Sequence, residues 1–351
     1  MKKLKKPKEM DDMNKIFLIG YYGYNNLGDE LLFQSILEIF SELNFDGKVY
    51  TLLDKTKITK NYSFKIHKVD KYNIQKIIKI IKECDIVIYG GGNIFQTETS
   101  LRSFLYYDFL FKIAKHYKKH ILFLSQGFGH FKHKYAIKRM RKLLKYKNLS
   151  GILRDETSYR YAKKFSNHFE LGTDIGMIKY KNFQFQKDIK KYHISIIIKN
   201  KRNWDKIIYL LKYVNINSIT PIVLNKSQDA IIAYDFFEKY KNNINISFPV
   251  SEENKIINKM LKSEFVISDR LHGGILSLYL GIPVIMYKNQ KNYRVFKTID
   301  KKYNLFFKNE DDLIDSLSQL KTYDFEKIQK NFMDKLNISH QKTLEIIKAF
   351  L

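Results

Sequence analysis

The feature that most constrains this chain is an alternation between short runs of β-branched and aromatic residues and longer stretches with helical spacing. The runs are IFLIG at 16–20, KVYTLL at 48–53, DIVIYG at 85–90, HILFLS at 120–125 and GILR at 151–154. Helical patterns fill 29–43, 74–83, 103–117 and 156–165. Strand then helix, repeated, is the pattern of parallel βα units. Each run is almost uninterrupted in its hydrophobicity, as a strand must be when helices cover both faces of its sheet.

After Asp174 the alternation fades through the polar stretch KYKNFQFQKDIKKYH. It resumes with ISIII at 194–198, SITPIVL at 218–224, EFVIS at 264–268 and IPVIMY at 282–287, with helices starting near Asp229, Glu252 and Gly273. This reads as an α/β protein of two Rossmann-like parallel-sheet lobes facing a cleft. A polar tail occupies 1–14, an N-terminal lobe 15–180 and a C-terminal lobe with terminal helices 181–351. A length of 351 residues suits two cores better than one.

Charge bears on partners. Lys and Arg number 63 against 36 Asp and Glu, a net charge of +27 that attracts anions. The lysines are interleaved with Asn, Ile and Tyr along the whole chain, as AT-rich codons would produce, so the charge is read as a general lure. Its spread, without a helix-turn-helix, zinc or RNP signature, argues against a specific nucleic-acid partner. The single cysteine, Cys84, excludes an internal disulfide or a Cys-based metal site and fits a reducing compartment. No stretch approaches the ~18 consecutive apolar residues of a membrane span. A cytoplasmic enzyme is expected, with a basic surface that allows peripheral contact with an anionic inner membrane face.

In α/β sheets ligands collect outside the carboxyl ends of the strands. The first run leads into GYYGYNNLGDE, where Gly20, Gly23 and Gly28 let the backbone come close. Asn26 and Asp29 lie where a helix N-terminus can hold an anion. A tight turn and helix cap would explain the same residues. The spacing is not GxGxxG, and Asp54 is the only acidic candidate ending the second run. YGGGNIFQTETS strings together Gly90, Gly91 and Gly92, at a cost in entropy that close approach would justify. Asn93, Gln96, Thr97 and Ser100 suit sugar hydroxyls. SQGFGH adds Gln126, Gly127 and His130, and LRDETS puts Arg154 at a strand end with Asp155 as a helix cap. In SDRLHGG, Asp269, Arg270, Leu271, His272 and Gly273 join a cation, an imidazole and a helix N-terminus in a grouping that packing alone does not require.

In this order and spacing the motifs, above all DRLHG followed by GIPV, resemble the polysaccharide pyruvyl transferase family over roughly 15–295. The resemblance implies a GT-B-like fold and transfer of pyruvate from phosphoenolpyruvate to a sugar hydroxyl pair as a ketal, during cell-surface polysaccharide biosynthesis. The implied partners are phosphoenolpyruvate as co-substrate, with no other cofactor and no metal, and a sugar or lipid-linked oligosaccharide acceptor. Arg154 and Arg270 would clamp the donor, and His272 would protonate its methylene carbon. His130 and Asp29 are the candidate bases, and Asp174 stands for an aspartate the family commonly has. The chain departs at SIIIKNKRNW, where Lys199 replaces an arginine and keeps the charge without the fork. The alternative is a GT-B nucleotide-sugar-dependent glycosyltransferase, which shares the two lobes and the basic cleft.

Overall fold

The computed structural model of the protein describes residues 14–53, 58, 60–98, 100–202 and 204–351. The expected polar tail, apart from its last residue, and Asp54 lie outside the described residues.

Two parallel sheets follow one another along the chain. The first is built from β1 (Lys15–Tyr22), β2 (Lys48–Leu53), β3 (Lys65–Lys68), β4 (Ile86–Gly92), β5 (His120–Gln126), β6 (Leu149–Leu153) and β7 (Phe169–Leu171). Helices α1 (Leu27–Glu42), α2 (Ile74–Glu83), α3 (Leu101–His116), α4 (Lys134–Leu144) and α5 (Glu156–Lys163) cover it. The second holds β8 (His193–Ile197), β9 (Ser218–Ile222), β10 (Asn245–Ile246), β11 (Phe265–Ser268), β12 (Val284–Tyr287) and β13 (Phe306–Phe307). Its helices are α6 (Asp205–Tyr213), α7 (Lys226–Tyr240), α8 (Glu253–Leu261), α9 (Leu271–Leu280), α10 (Gln290–Ile299) and α11 (Glu310–Leu320), with α12 (Phe325–Lys348) closing the chain.

The strand orders are β3-β2-β1-β4-β5-β6-β7 and β10-β9-β8-β11-β12-β13. Each sheet winds outward in both directions from its first strand, so each has a point where the connections reverse. These lie between β1 and β4, in register at Ile16 with Ile86, and between β8 and β11, in register at Ile194 with Phe265. A crevice opens outside the carboxyl ends of the strands at such a point. The expected two-lobed α/β fold is the one observed.

Local chemistry sets the helix ends. Side chains of Asn73, Ser100, Asp155, Asn225 and Asn289 accept from N–H groups in the first turns of α2, α3, α5, α7 and α10. The left-handed Gly281 (φ 70°) ends α9. Cys84 is buried packing, its thiol donating to the Ile81 carbonyl and pushed up by burial to about 12.

One apolar cluster fills the far face of the first sheet, around Phe17, Tyr89, Phe111 and Phe123. A second runs from the near face through α1 and Tyr180 into the other lobe and α12, so the lobes share a core. Assigned from sequence to the second lobe, α12 also reaches the first. Ser339 Oγ accepts from the Thr173 N–H (2.8 Å), His340 lies 2.9 Å from Glu42, and the Asn14 amide donates to the Leu351 carbonyl (3.0 Å). No helix among the described residues is long and apolar enough to cross a membrane.

Candidate functional site

The carboxyl ends of the two sheets face each other, and loops that leave them touch. The β1–α1 loop pairs through its backbone with the β9–α7 loop: Leu27 N–H donates to the Leu224 carbonyl (2.8 Å) and Lys226 N–H to that of Asn25 (3.1 Å). Asn26 and Asn225 form the antiparallel bridge between them. The first turn of α1 thereby lies against the first turn of α9. A Cβ on Gly28 would stand 1.9 Å from His272 Nδ1, so the residue must be glycine for the imidazole to sit there.

His272 is buried, and its Nε2 lies 3.3 Å from a carboxylate oxygen of Asp174, without hydrogen-bond alignment. The same oxygen accepts from Arg154 Nη1 at 3.0 Å. Arg154, Asp174 and His272 thus form a buried triad drawn from both lobes. Burial alone would raise the Asp174 pKa; His272, Arg154 and the Gly176 N–H outweigh it and hold the carboxyl well below the usual range. Arg154 Nε is buried and finds no acceptor among the described residues.

Asp29, at the start of α1, accepts from the Asn26 amide. Burial pushes its carboxyl up, against the opposing pull of His272, Lys291 and Arg154. Gly91 and Gly92 take positive φ values of 83° and 84° at the end of β4, and a Cβ on Gly92 would lie 3.5 Å from Asp29 Oδ1. Gly91 and Gly92 are therefore explained by backbone conformation, and Gly90 by packing, since a Cβ there would lie 2.3 Å from the Tyr22 hydroxyl.

Lys291, on the first turn of α10, was not singled out from the sequence. It lines a narrow cleft with Asn93, Gly127, His130, Arg154 and Asp155. Burial, then Arg154, lower its ammonium to about 8, partly offset by Asp29 and Asp174. The turn that carries it is tied to the β11–α9 loop by the Asn292 amide, which donates to the Asp269 carbonyl (3.2 Å). The only sequence signal was its place after the IPVIMY run, and one lysine among so many does not stand out.

The remaining candidates separate into neighbours of this centre and residues engaged elsewhere. Gln126 is buried, donating to the carbonyls of Tyr89 (3.2 Å) and Gly91 (2.6 Å), and Asn93 donates to that of Gly129 (2.6 Å). The Gln126 Oε1 and Asn93 Oδ1 acceptors have no partner among the described residues. His130 is exposed and meets Gln290 at 3.0 Å across the cleft. Gly23 donates to Glu30 (2.7 Å), and Asp155 caps α5 through the Ser158 N–H (2.8 Å).

Arg270 is committed to its own lobe. Its fork grips the buried Asp229, and Gln228 accepts a further bond at 2.9 Å. Leu271 is buried, and Gly273 lies against Ile197 and Ser268, so its missing side chain serves helix–sheet packing. Asp269 accepts from Arg202 (2.6 Å) and from the Lys199 N–H (2.9 Å), and Arg202 is caged by Trp204, Tyr287 and Phe307. The Lys199 residue itself is exposed beyond β8. No side chain caps the α9 N-terminus, and among the described residues no cluster of His, Cys, Asp and Glu is arranged for a metal ion.

Chemically, the arrangement gathers groups that can meet an anion. A helix N-terminus, a guanidinium with a free N–H, an ammonium and an imidazole converge, with one carboxyl held ionised and another raised in pKa. A family model described as polysaccharide pyruvyl transferase matches residues 26–292. No curated protein sequence matches the chain. Among solved structures, UDP-N-acetylglucosamine 2-epimerase from Rickettsia bellii is similar with a TM-score of 0.62 at 11% identity, covering 96% of each chain. S. aureus MnaA with UDP gives 0.61 at 13%, covering 96% of this chain and 97% of the other. The Neisseria meningitidis UDP-GlcNAc 2-epimerase bound to UDP-GlcNAc gives 0.57 at 14%, covering 95% and 99%. At these identities the likeness is one of fold, the two-lobed GT-B-like architecture. Family and fold together make the chain a carbohydrate-acting enzyme.

The expected partner, phosphoenolpyruvate, is corrected by two of these structures of like fold, one a complex with UDP and the other bound to UDP-GlcNAc. The physical reason is plain. Glycine loops, helix N-termini and arginines recognise phosphate without specifying what the phosphate is joined to.

Proposed function

The chain belongs to the polysaccharide pyruvyl transferase family, and from that premise we propose that it is a sugar-modifying transferase that takes a nucleotide diphosphate sugar into the cleft between its lobes. The observation that carries this reading is the meeting of three strand-to-helix junctions from both lobes: Arg154 and His272 share a carboxylate oxygen of Asp174, and Lys291 lines the same cleft as Arg154.

The diphosphate lies at the N-terminus of α9, with Arg154 Nε and the Lys291 ammonium as its counter-charges. Arg270, gripped by Asp229, positions the α9 turn. In glycosyl transfer the bond from sugar C1 to the β-phosphate oxygen breaks and a bond from an acceptor hydroxyl oxygen to C1 forms. The cations receive the charge that develops on the departing nucleotide diphosphate. The acceptor proton passes to Asp29, whose carboxyl is made by burial more basic than that of an exposed aspartate.

The test is release of UDP from a UDP-sugar panel in the presence of carbohydrate acceptors. Turnover by the wild type and a loss of about 10²–10³-fold in kcat for Lys291→Met are expected. Equal turnover by the variant, or none by the wild type with any nucleotide sugar, would overturn the proposal.

A further inference from the structure

We propose that the first lobe carries a saccharide-binding shelf of tyrosines beside the cleft, where a sugar unit of the acceptor stacks. The inference rests on the carbohydrate-transferring reading above and adds to it the chemistry of the acceptor's seat.

The shelf is built at the carboxyl ends of β1 and β3, on the same side of the sheet as the catalytic centre. Tyr21, near the end of β1, stacks on Tyr24 of the following loop, with ring centroids 4.2 Å apart and planes 16° from parallel. Lys71, in the β3–α2 loop, donates to the Tyr24 hydroxyl (2.6 Å), with its ammonium 4.6 Å from the centroid of that ring and 5.0 Å from that of Tyr72. From α3 the Tyr106 hydroxyl fixes the loop by donating to the Lys71 carbonyl (3.0 Å), and the Asp70 carboxylate accepts from the Tyr72 N–H (2.9 Å). A solvent-open hollow of about 420 Å³ beside the rings is also lined by Leu53, Lys68 and Asp70.

Folding does not require these rings to be exposed. Tyr72 is 78% exposed and Tyr21 42% exposed, yet the cluster is ordered by one lysine and a hydrogen bond from a neighbouring helix. Ordering aromatic and lysine side chains at a surface costs side-chain entropy, which a ligand repays. A pyranose has an apolar C–H face and a rim of hydroxyls, matching flat amphipathic rings flanked by an ammonium and a carboxylate. Burial first, then Tyr24 and Asp29, raise the Tyr21 phenol, which ties the shelf to the proposed base. The Asp70 carboxylate beside Tyr72 and the Lys71 ammonium beside Tyr24 offer an acceptor and a donor to the hydroxyls around a stacked pyranose.

Saturation-transfer NMR on the full chain tests this with a panel of neutral hexose, N-acetylhexosamine and deoxyhexose trisaccharides, each with and without UDP. Transfer to the ring C–H protons of at least one trisaccharide is expected. Tyr72→Ala and Tyr21→Ala should weaken that binding by about tenfold, the scale of one lost aromatic contact, and leave UDP affinity unchanged. Binding of no trisaccharide, or equal binding by the variants, overturns the shelf. Loss of UDP affinity in the variants reassigns it to the nucleotide base and overturns it equally. Failure of the wild type to bind UDP, with saccharide binding intact, would instead sink the nucleotide-sugar reading.

Discussion

His272 owes its place to an absent methyl group on another lobe. Because a Cβ at Gly28 would fall 1.9 Å from its Nδ1, Gly28→Ala should displace the imidazole and lower kcat/KM by about 10²-fold. Steady-state kinetics beside a thermal melt would separate this from unfolding. Asp174 is the buried carboxylate between Arg154 and His272, and Asp174→Asn should cost about 3–5 kcal/mol in urea unfolding. Its folded pKa lies below the unfolded 3.8, so its contribution is full above that value and is lost as pH falls through the folded one. The variant should therefore show a flatter acid limb in its stability profile. Lys291 works in the opposite range. Its ammonium is lowered to about 8, so affinity for a diphosphate should fall as pH rises through that value, a step missing in Lys291→Met when titrated by calorimetry. Stability moves the other way. Between about 8 and 10.5 only the unfolded chain keeps this proton, so folding gains as pH rises.

At the scale of elements, the site is made by loops that pair across the lobes, and α7 and α9 are braced to hold their ends. Arg270→Ala would leave Asp229, fully buried, without its fork, and should destabilise the second lobe by about 3 kcal/mol. Removing Asp229 as well should recover part of that loss, measured by denaturation of the double variant. Such bracing marks the limit of what the sequence discloses. The long central strands were legible because burial on both faces leaves an unbroken apolar run, whereas β3, β7, β10 and β13 are edge or near-edge strands too short to show one. The DRLHG and GYYGYNNLGDE loops could be read as sites because their residue types are not needed for packing. That Arg270 would be spent on Asp229, and that Gly273 would serve packing on β8, depends on contacts between residues about 40 or more positions apart. No local pattern carries those.

Over the whole molecule, two lobes built on the same strand order meet with the carboxyl ends of their sheets opposed, and the shared core and α12 hold them together. The whole chain carries a net charge of +27, so capture of an anionic substrate should slow as salt rises past a Debye length of about 10 Å at 0.1 M. Donor identity was the one large matter on which the motifs pointed elsewhere, since phosphate-binding geometry is common to both donors. Calorimetric titration of the wild type and Arg154→Met with UDP-GlcNAc, UDP and phosphoenolpyruvate therefore tests the central claim most directly. Binding of the nucleotides, weakened by about tenfold or more in the variant, is the predicted result. Binding of phosphoenolpyruvate with no affinity for either nucleotide would contradict it.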